Sequence, residues 1–573
     1  MILKICTLFP LGIALRNSLK KGYNFQTFKS DLSAGFIVSL VALPLAMALS
    51  IAVGLPPQHG LYTAIVAGII VPLLGGSIPQ VTGPTAAFVV IVAPIVTTYG
   101  LRGLLIATIL AGILLIIFGM VKLGRYINYI PYPVTTGFTS AIAVVIATLA
   151  LNDFLGLGIN QLQGNYVDKV LLIINAIPSF HWQETLIGMV SLIIMLTSKW
   201  FIPKIPGPIV GISMGAILAY LLAQNGFDIA TIGNRFSYFL SNGEIRYGIP
   251  PFSPTFHFFG LDHSKLFALP TFQEIRHLII PALVIATLGA LESLLSAVVA
   301  DGLTGSKHHP NAELMAVGIG NILSGLALGI PATGAIARTA TNIHHGVKTP
   351  LASSFHAVML LGYVMLFAPI MSYIPMASLA ALLLVVAYHM SHYKQFVRTI
   401  KIAPLSDTIV LLTCFSLTVF TDMVIGITAG VILSCFLFIQ HIARLTQSQI
   451  SHGAINHHPH SKHFNLPNDV MIYHINGSIF FGTIEKAFDR TGFIQDHIST
   501  LIIDMQNVPF IDMSGLVAMK TMILDFQRKD RKIILCGHSH IIGKILQKLP
   551  YHIQKIIYAV ETLDQAVILL KQK

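Results

Sequence analysis

The chain predicts a polytopic α-helical membrane protein in which fourteen spans form two inverted repeats of seven, a gate and a core, followed by a small α/β domain. Three observations carry this. Of 573 residues, 54% are hydrophobic and only 10% charged, with a mean hydropathy of +0.76, a balance outside that of ordinary soluble domains. The whole stretch from Leu32 to Leu101 contains no Asp, Glu, Lys or Arg. Finally, the pattern T-G-x-x-A occurs twice in apolar surroundings, as Thr82-Gly83-Pro84-Thr85-Ala86 and as Thr333-Gly334-Ala335-Ile336-Ala337, 251 positions apart.

Apolar runs of about 17 to 25 residues suffice to cross a bilayer. Allowing shorter runs at the two motif positions, fourteen segments begin near Leu32, Gln58, Thr82, Arg102, Pro133, Glu184, Pro206, His277, Asn311, Thr333, Leu351, Met376, Asp407 and Met423. Residues 1–30 read as a cytoplasmic N-terminal segment: Met1 to Asn17 superficially resembles a signal peptide, but it lacks a small-residue cleavage site and basic residues follow. Residues 31–444 form the transmembrane transport domain.

Charge sets the orientation. Lys20, Lys21 and Lys29 precede the first span; Lys122 and Arg125, Lys199 and Lys204, Lys307, Lys348, then Lys394 with Arg398 and Lys401, and Arg444 follow even-numbered spans. The positive-inside rule then puts both termini in the cytoplasm, with Arg102 and Lys169 as exceptions, and the long loop from Gln224 to Arg276 outside. The first and eighth spans lie 245 positions apart, close to the motif offset. Seven spans per half is an odd number, so the halves are inverted. Gly and Pro interrupt the third and tenth segments, whose helix starts face each other at mid-membrane; broken backbone at that depth is tolerated only in protein or beside a cavity.

Past Arg444 the pattern changes. Residues 445–468 are polar and His-rich and read as a linker. In residues 469–573, strand-like runs at Val470–Ile475, Thr500–Met505 and Lys532–Cys536 alternate with helical patterns at Ile484–Gln495, Ser514–Gln527 and Leu563–Lys571, giving a small α/β domain.

The net charge of +12 does not indicate nucleic acid, because the basic residues cluster at span ends without aromatic interleaving. Cys6, Cys414, Cys435 and Cys536 have no framework or metal-ligand spacing, so no disulfide is expected. His308-His309, His344-His345 and the linker histidines His452, His457, His458, His460 and His463 lack companion ligands and read as solvated loops rather than a metal site. No nucleophile–base pair or nucleotide-binding loop is visible, so the chain is not expected to be an enzyme and needs no cofactor. Uphill movement would draw on an ion gradient.

Glu292 is the carboxylate between Arg276 and Asp301, inside a span. Such a group at that depth costs several kcal/mol unless it faces a cavity or a partner. It reads as a proton carrier, with a structural hydrogen bond between helices as the alternative. Arg338, within about one turn of the second motif, is the only Lys or Arg between Lys307 and Lys348. Two opposed helix starts with a guanidinium would bind an anion, which makes Thr82, Gly83, Thr85, Gly334, Ala335, Ile336, Ala337 and Arg338 the candidate substrate residues. The alternatives for Arg338 are snorkelling to the cytoplasmic interface or pairing with Glu292. In the soluble domain Asp512 or Ser514 would cap a helix; Ser514 is also a candidate regulatory phosphorylation position.

Together these residues resemble the sulfate permease (SulP) family of anion transporters. The resemblance rests on Asp31-Leu32-Ser33-Ala34-Gly35, Ala42-Leu43-Pro44, Gly54-Leu55-Pro56-Pro57 with Gly60-Leu61-Tyr62, Gly83-Pro84-Thr85-Ala86-Ala87, Glu292-Ser293-Leu294-Leu295, Ala337-Arg338-Thr339-Ala340, and the Asp512–Gly515 turn of a STAS domain. Leu43–Leu49 and Glu292–Gly305 look most like the bacterial proton-coupled C4-dicarboxylate carrier. The resemblance implies alternating access by core movement, homodimers, a location in the cytoplasmic (inner) membrane, and a STAS domain that serves regulation or docks a cytoplasmic protein. It adds Leu45 and Leu49 of the first span to the substrate residues; several relatives carry Gln or an aromatic at Leu45, Leu49 and Thr85. It also tilts the coupling ion toward a proton at Glu292, with sodium as the alternative. The function expected is secondary active anion transport by proton symport, of the sulfate, dicarboxylate or bicarbonate class. An uncoupled channel-like conductor and a membrane sensor signalling through STAS are the rivals.

Overall fold

The computed structural model describes residues 11–125, 131–159, 162, 164–203, 205–239, 244–261, 265–452, 466–488, 497–554 and 557–571. The first ten residues, with Cys6, lie outside these, as do His457, His458, His460 and His463. The chain divides into two compact units, Met1–Val431 and Ile432–Lys573.

In the first unit an amphipathic helix α1 (Ile13–Lys20) precedes α2 (Phe25–Ala52). The Asn24 side chain accepts the Thr27 amide at 2.8 Å and caps α2, so this helix starts before residue 31, where the sequence pattern puts the first span. Helix α3 (Pro57–Leu74) opens on a proline, whose missing N–H is harmless there. The chain then runs extended through β1 (Thr82–Gly83) and one 3₁₀ turn at Ala86–Phe88 before winding into α4 (Val89–Met120). That helix breaks at Gly100, φ 66° and ψ −170°, and so supplies both the third and the fourth expected spans. Helices α5 (Tyr132–Phe154), α6 (Tyr166–Ala176), α7 (Trp182–Phe201) and α8 (Gly207–Gln224) complete the first half.

The long loop carries a hairpin, β2 (Ser237–Phe239) with β3 (Ile245–Tyr247). The second half opens with α9 (Phe272–Thr304), capped by a reciprocal Thr271–Glu274 box and closed by Gly305 at φ 69°. Then follow α10 (Pro310–Leu326), an extended stretch holding β4 (Thr333–Gly334), the nine-residue α11 (Ile336–His344), α12 (Leu351–Met371), α13 (Met376–Met390), α14 (Tyr393–Ile402), α15 (Leu405–Phe420) and α16 (Met423–Leu445). Each of the fourteen expected segments coincides with a helix. Helices α6 and α14 are additional, too short and too charged or polar to register as spans. Arg102, an exception to the charge rule, is explained by its partner: Nε and Nη2 donate to Glu274 at 2.8 and 3.2 Å.

Small residues let the core helices approach. A Cβ on Gly112 of α4 would lie 2.6 Å from the Gly318 carbonyl oxygen of α10, and one on Gly318 would lie 2.6 Å from that of Gly112, which is close packing by main chain rather than by side-chain interdigitation.

The second unit is a five-stranded sheet in the order β5 (Gln447–His452), β6 (Val470–Asn476), β7 (Thr500–Met505), β8 (Lys532–Gly537), β9 (Tyr558–Val560). β5 is antiparallel to β6 and the other pairs are parallel. One face buries Met471, Tyr473, Leu501, Ile503 and Leu535 with α17 (Met513–Arg528) and α18 (Ser539–Gln547); the other buries Ile472, Ile502 and Ile534 with α19 (Leu563–Lys571). Strand β5 corrects the linker expectation at Gln447–His452, while residues 453–465 lie outside the described residues. Its sequence is nearly all polar because it is an edge strand, held by backbone bonds to β6 with no apolar alternation to announce it. The helix expected at Ile484–Gln495 is described only at Ile484–Phe488; residues 489–496 lie outside the described residues.

Candidate anion site between two interrupted segments

The two T-G-x-x-A motifs meet. β1 and β4 pair antiparallel in the register Thr82 with Gly334 and Gly83 with Thr333, and the Ala335 amide adds a bond to the Val81 carbonyl at 2.9 Å. The ladder satisfies main-chain groups that lipid could not. Helix α9 braces it: Ser293 Oγ accepts the Gly334 amide at 2.9 Å and lies 2.8 Å from Thr333 Oγ1, which donates to the Gly289 carbonyl at 3.0 Å. The helix starts at Ala86 and Ile336 therefore emerge from one two-residue ladder.

At the start of α11, the amides of Ile336, Ala337 and Arg338 have no intrahelical acceptor, while Ile336 is 39% exposed and Ala337 is exposed as well. Arg338 is 2% exposed. Its Nη2 donates to the Pro84 carbonyl, and its Nε and Nη1 are buried without a hydrogen-bond partner. This corrects the snorkelling alternative: the guanidinium turns inward onto the first motif. Its hydrogen bond goes to Pro84 and not to Glu292. Gly83 is what admits it, because a Cβ there would lie 2.6 Å from Arg338 Nη1. On the other strand a Cβ at Gly334 would collide with Gln80 Nε2.

Glu292 is 9% exposed and accepts from Thr85 Oγ1 at 2.8 Å, joining α9 to the first helix start. Thr85 is half-buried, Thr82 and Ala335 are buried. Leu45, half-buried, and Leu49, buried, lie on α2, which packs against α11. In the second unit Asp512 is the residue that caps α17, accepting the Gly515 amide at 2.7 Å; Ser514 follows, half-buried in the first turn.

Glu313 and Asp31 are buried carboxylates that the sequence alone does not mark as site candidates. Glu313 of α10, 1% exposed, accepts the Gly76 and Ser77 amides at 2.8 and 3.0 Å and Gln80 Nε2 at 2.9 Å. It fixes the chain leading into the first motif. Asp31 accepts the Lys348 and Thr349 amides at 2.7 and 3.1 Å and Thr349 Oγ1 at 2.6 Å. Both sit near span ends, where a carboxylate in the sequence looks like an ordinary interfacial charge. His308 Nδ1 contacts Asp301 Oδ2 at 2.7 Å, and His309 caps α10.

The Sulfate permease family matches residues 28–413, and the STAS domain matches residues 464–566. The chain belongs to the sulfate permease family of anion transporters. This permease is 38% identical over 529 residues to the Putative sulfate transporter YvdB of Bacillus subtilis, covering 92% of this chain and 95% of the relative. It is 27% identical over 550 residues to the Bicarbonate transporter BicA of Picosynechococcus sp., covering 92% and 91%. The structure of murine Solute Carrier 26 family member A9 (Slc26a9), an anion transporter in the inward-facing state, matches the permease with a TM-score of 0.84 at 17% identity, over 100% of this chain and 95% of that one, which supports the fold of seven plus seven spans with a C-terminal STAS domain.

Proposed function

We propose that this sulfate permease is a secondary active symporter that moves an anion with a proton, lies in the cytoplasmic membrane with both termini in the cytoplasm, and works as a homodimer. The observation that carries the reading is the pairing of Thr82–Gly83 with Thr333–Gly334, which gathers two helix starts beside a buried guanidinium. Main-chain amides and an arginine offer donors and positive potential without a mobile counter-charge, which suits a small anion. Leu45, Leu49, Thr85 and Ala335–Arg338 form the substrate surface.

Glu292 is the proton carrier. Thr85 joins it to the first helix start through one hydrogen bond, so neutralising the carboxylate changes the field where the anion rests, and proton and anion travel together. Movement of the core against the gate then exposes the site to alternate sides. The STAS unit regulates this cycle or docks a cytoplasmic protein, with Ser514 as a phosphorylation position at the start of α17.

YvdB is named for sulfate and BicA for bicarbonate; sulfate, bicarbonate and a C4-dicarboxylate are the substrates to try. Proteoliposomes given labelled anions under separately imposed proton and sodium gradients test the reading. An acid-outside gradient should drive accumulation of one of these anions, and Glu292→Gln should abolish accumulation while leaving exchange. Acid-driven uptake undiminished in that variant, or uptake driven by sodium alone, would contradict it.

A further inference from the structure

A cavity of about 420 Å³ lies where the end of α1, the first turn of α2, Ile78 before β1 and the loop after α11 come together. None of the anion-site residues lines it. Lys21 and Lys348 both do, both exposed and neither with an ion-pair partner among the described residues. No carboxylate lines it. Asp31, one turn along α2, is buried and its oxygens accept the backbone amides of Lys348 and Thr349 and the Thr349 hydroxyl. Two like charges over one cavity repel until an anion lies between them.

The walls are fixed before any ligand arrives. Thr27 Oγ1 donates to Asn24 Oδ1 at 2.9 Å and Ser30 Oγ to the Gly346 carbonyl at 2.6 Å. Asp31 holds the backbone of Lys348, so that side chain leaves from an anchored point. The Phe25 and Gln26 amides, at the first turn of a 28-residue helix, have no intrahelical acceptor and add partial positive charge.

We propose that this cavity binds a phosphate group, presented by an acidic phospholipid. The setting favours the lipid as its source: α1 is amphipathic with Leu19 exposed, and Phe25 at the start of α2 is 80% exposed, as for segments lying in a headgroup layer. An occupied cavity would fasten α1 to the chain entering the first motif and to the loop leaving α11, tying lipid composition to the elements that carry the anion site.

The test is native mass spectrometry of the purified full-length chain titrated with dioleoyl phosphatidylglycerol, with dioleoyl phosphatidylcholine, and with inorganic phosphate. Phosphatidylglycerol should bind more tightly than phosphatidylcholine, and the double variant Lys21→Gln, Lys348→Gln should bind it about twenty-five-fold more weakly, at roughly fivefold per lysine. Lys401→Gln, a basic residue away from the cavity, should bind as the parent does. Lysine-dependent binding of inorganic phosphate without preference for phosphatidylglycerol would keep the phosphate chemistry and overturn the lipid source. Equal retention of both lipids together with inorganic phosphate binding that does not depend on the lysines, or a double variant that binds both anions as the parent does, would overturn the proposal outright.

Discussion

Arg338 is held by what its neighbour lacks. With Gly83 in place the guanidinium reaches the Pro84 carbonyl; a methyl group at Gly83 would lie 2.6 Å from Nη1. Gly83→Ala should therefore displace the arginine, at about 1–3 kcal/mol of overpacking, and lower anion affinity about tenfold while the permease still assembles. Uptake KM, compared with thermal stability in detergent, checks this. The T-G-x-x-A pattern made the meeting point legible, and Arg338 and Glu292 stood out as charges in apolar runs. The inward turn of Arg338 and the Thr85–Glu292 bond were not legible, since both depend on which neighbours the fold supplies. Cys536 in the second unit gives a separate test at this scale. Burial first, then the charge of Asp504, push its thiol up to about 12, so at neutral pH it stays protonated and is a poor nucleophile. Peptide mapping after maleimide treatment at pH 7.5 should find Cys536 unmodified in the folded chain and modified after denaturation.

Among elements, the repeats brace each other crosswise. Thr63 of α3 accepts the Ile330 amide at 2.6 Å and donates near the Ile330 carbonyl at 2.9 Å, while His59 of the same helix contacts the Leu328 carbonyl at 2.6 Å. These bonds hold the chain entering the second motif. Glu313 of α10 does the same for the first, through Gly76, Ser77 and Gln80, and the His309 amide binds the Gly76 carbonyl at 3.0 Å. Thr63 with Glu313, and His59 with His309, are each 250 positions apart, close to the motif offset of 251. Each interrupted segment is thus positioned by a helix of the opposite repeat. Thr63→Val and Glu313→Gln should each leave buried backbone or amide groups unpaired, at about 1–3 kcal/mol, and each should lower transport although neither residue is assigned to the substrate. Melting temperatures and uptake of the two variants check this; loss in one and full activity in the other would break the symmetry argument. The repeat was readable from motif spacing, but the braces were not, because Thr and His are commonplace residues and Glu313 sits at a span end. Strand β5 was hidden for a related reason: an edge held by main chain needs no apolar pattern.

For the whole molecule, composition and the spacing of basic residues carried most of the architecture. Fourteen segments, the inverted halves and the terminal α/β unit followed from length, hydropathy and an odd count. The same charges predict sidedness. In right-side-out vesicles, Phe239→Cys in the long loop should react with an impermeant thiol reagent and Lys401→Cys on α14 should not; the reverse pattern would invert the orientation. Anion binding is proposed at one place in this assembly, where two helix starts and Arg338 meet. It is tested most directly by an experimental structure of the permease with its transported anion bound. The account predicts anion density against the Ile336 and Ala337 amides, facing the Ala86 helix start. Density elsewhere, with those amides free, would contradict it.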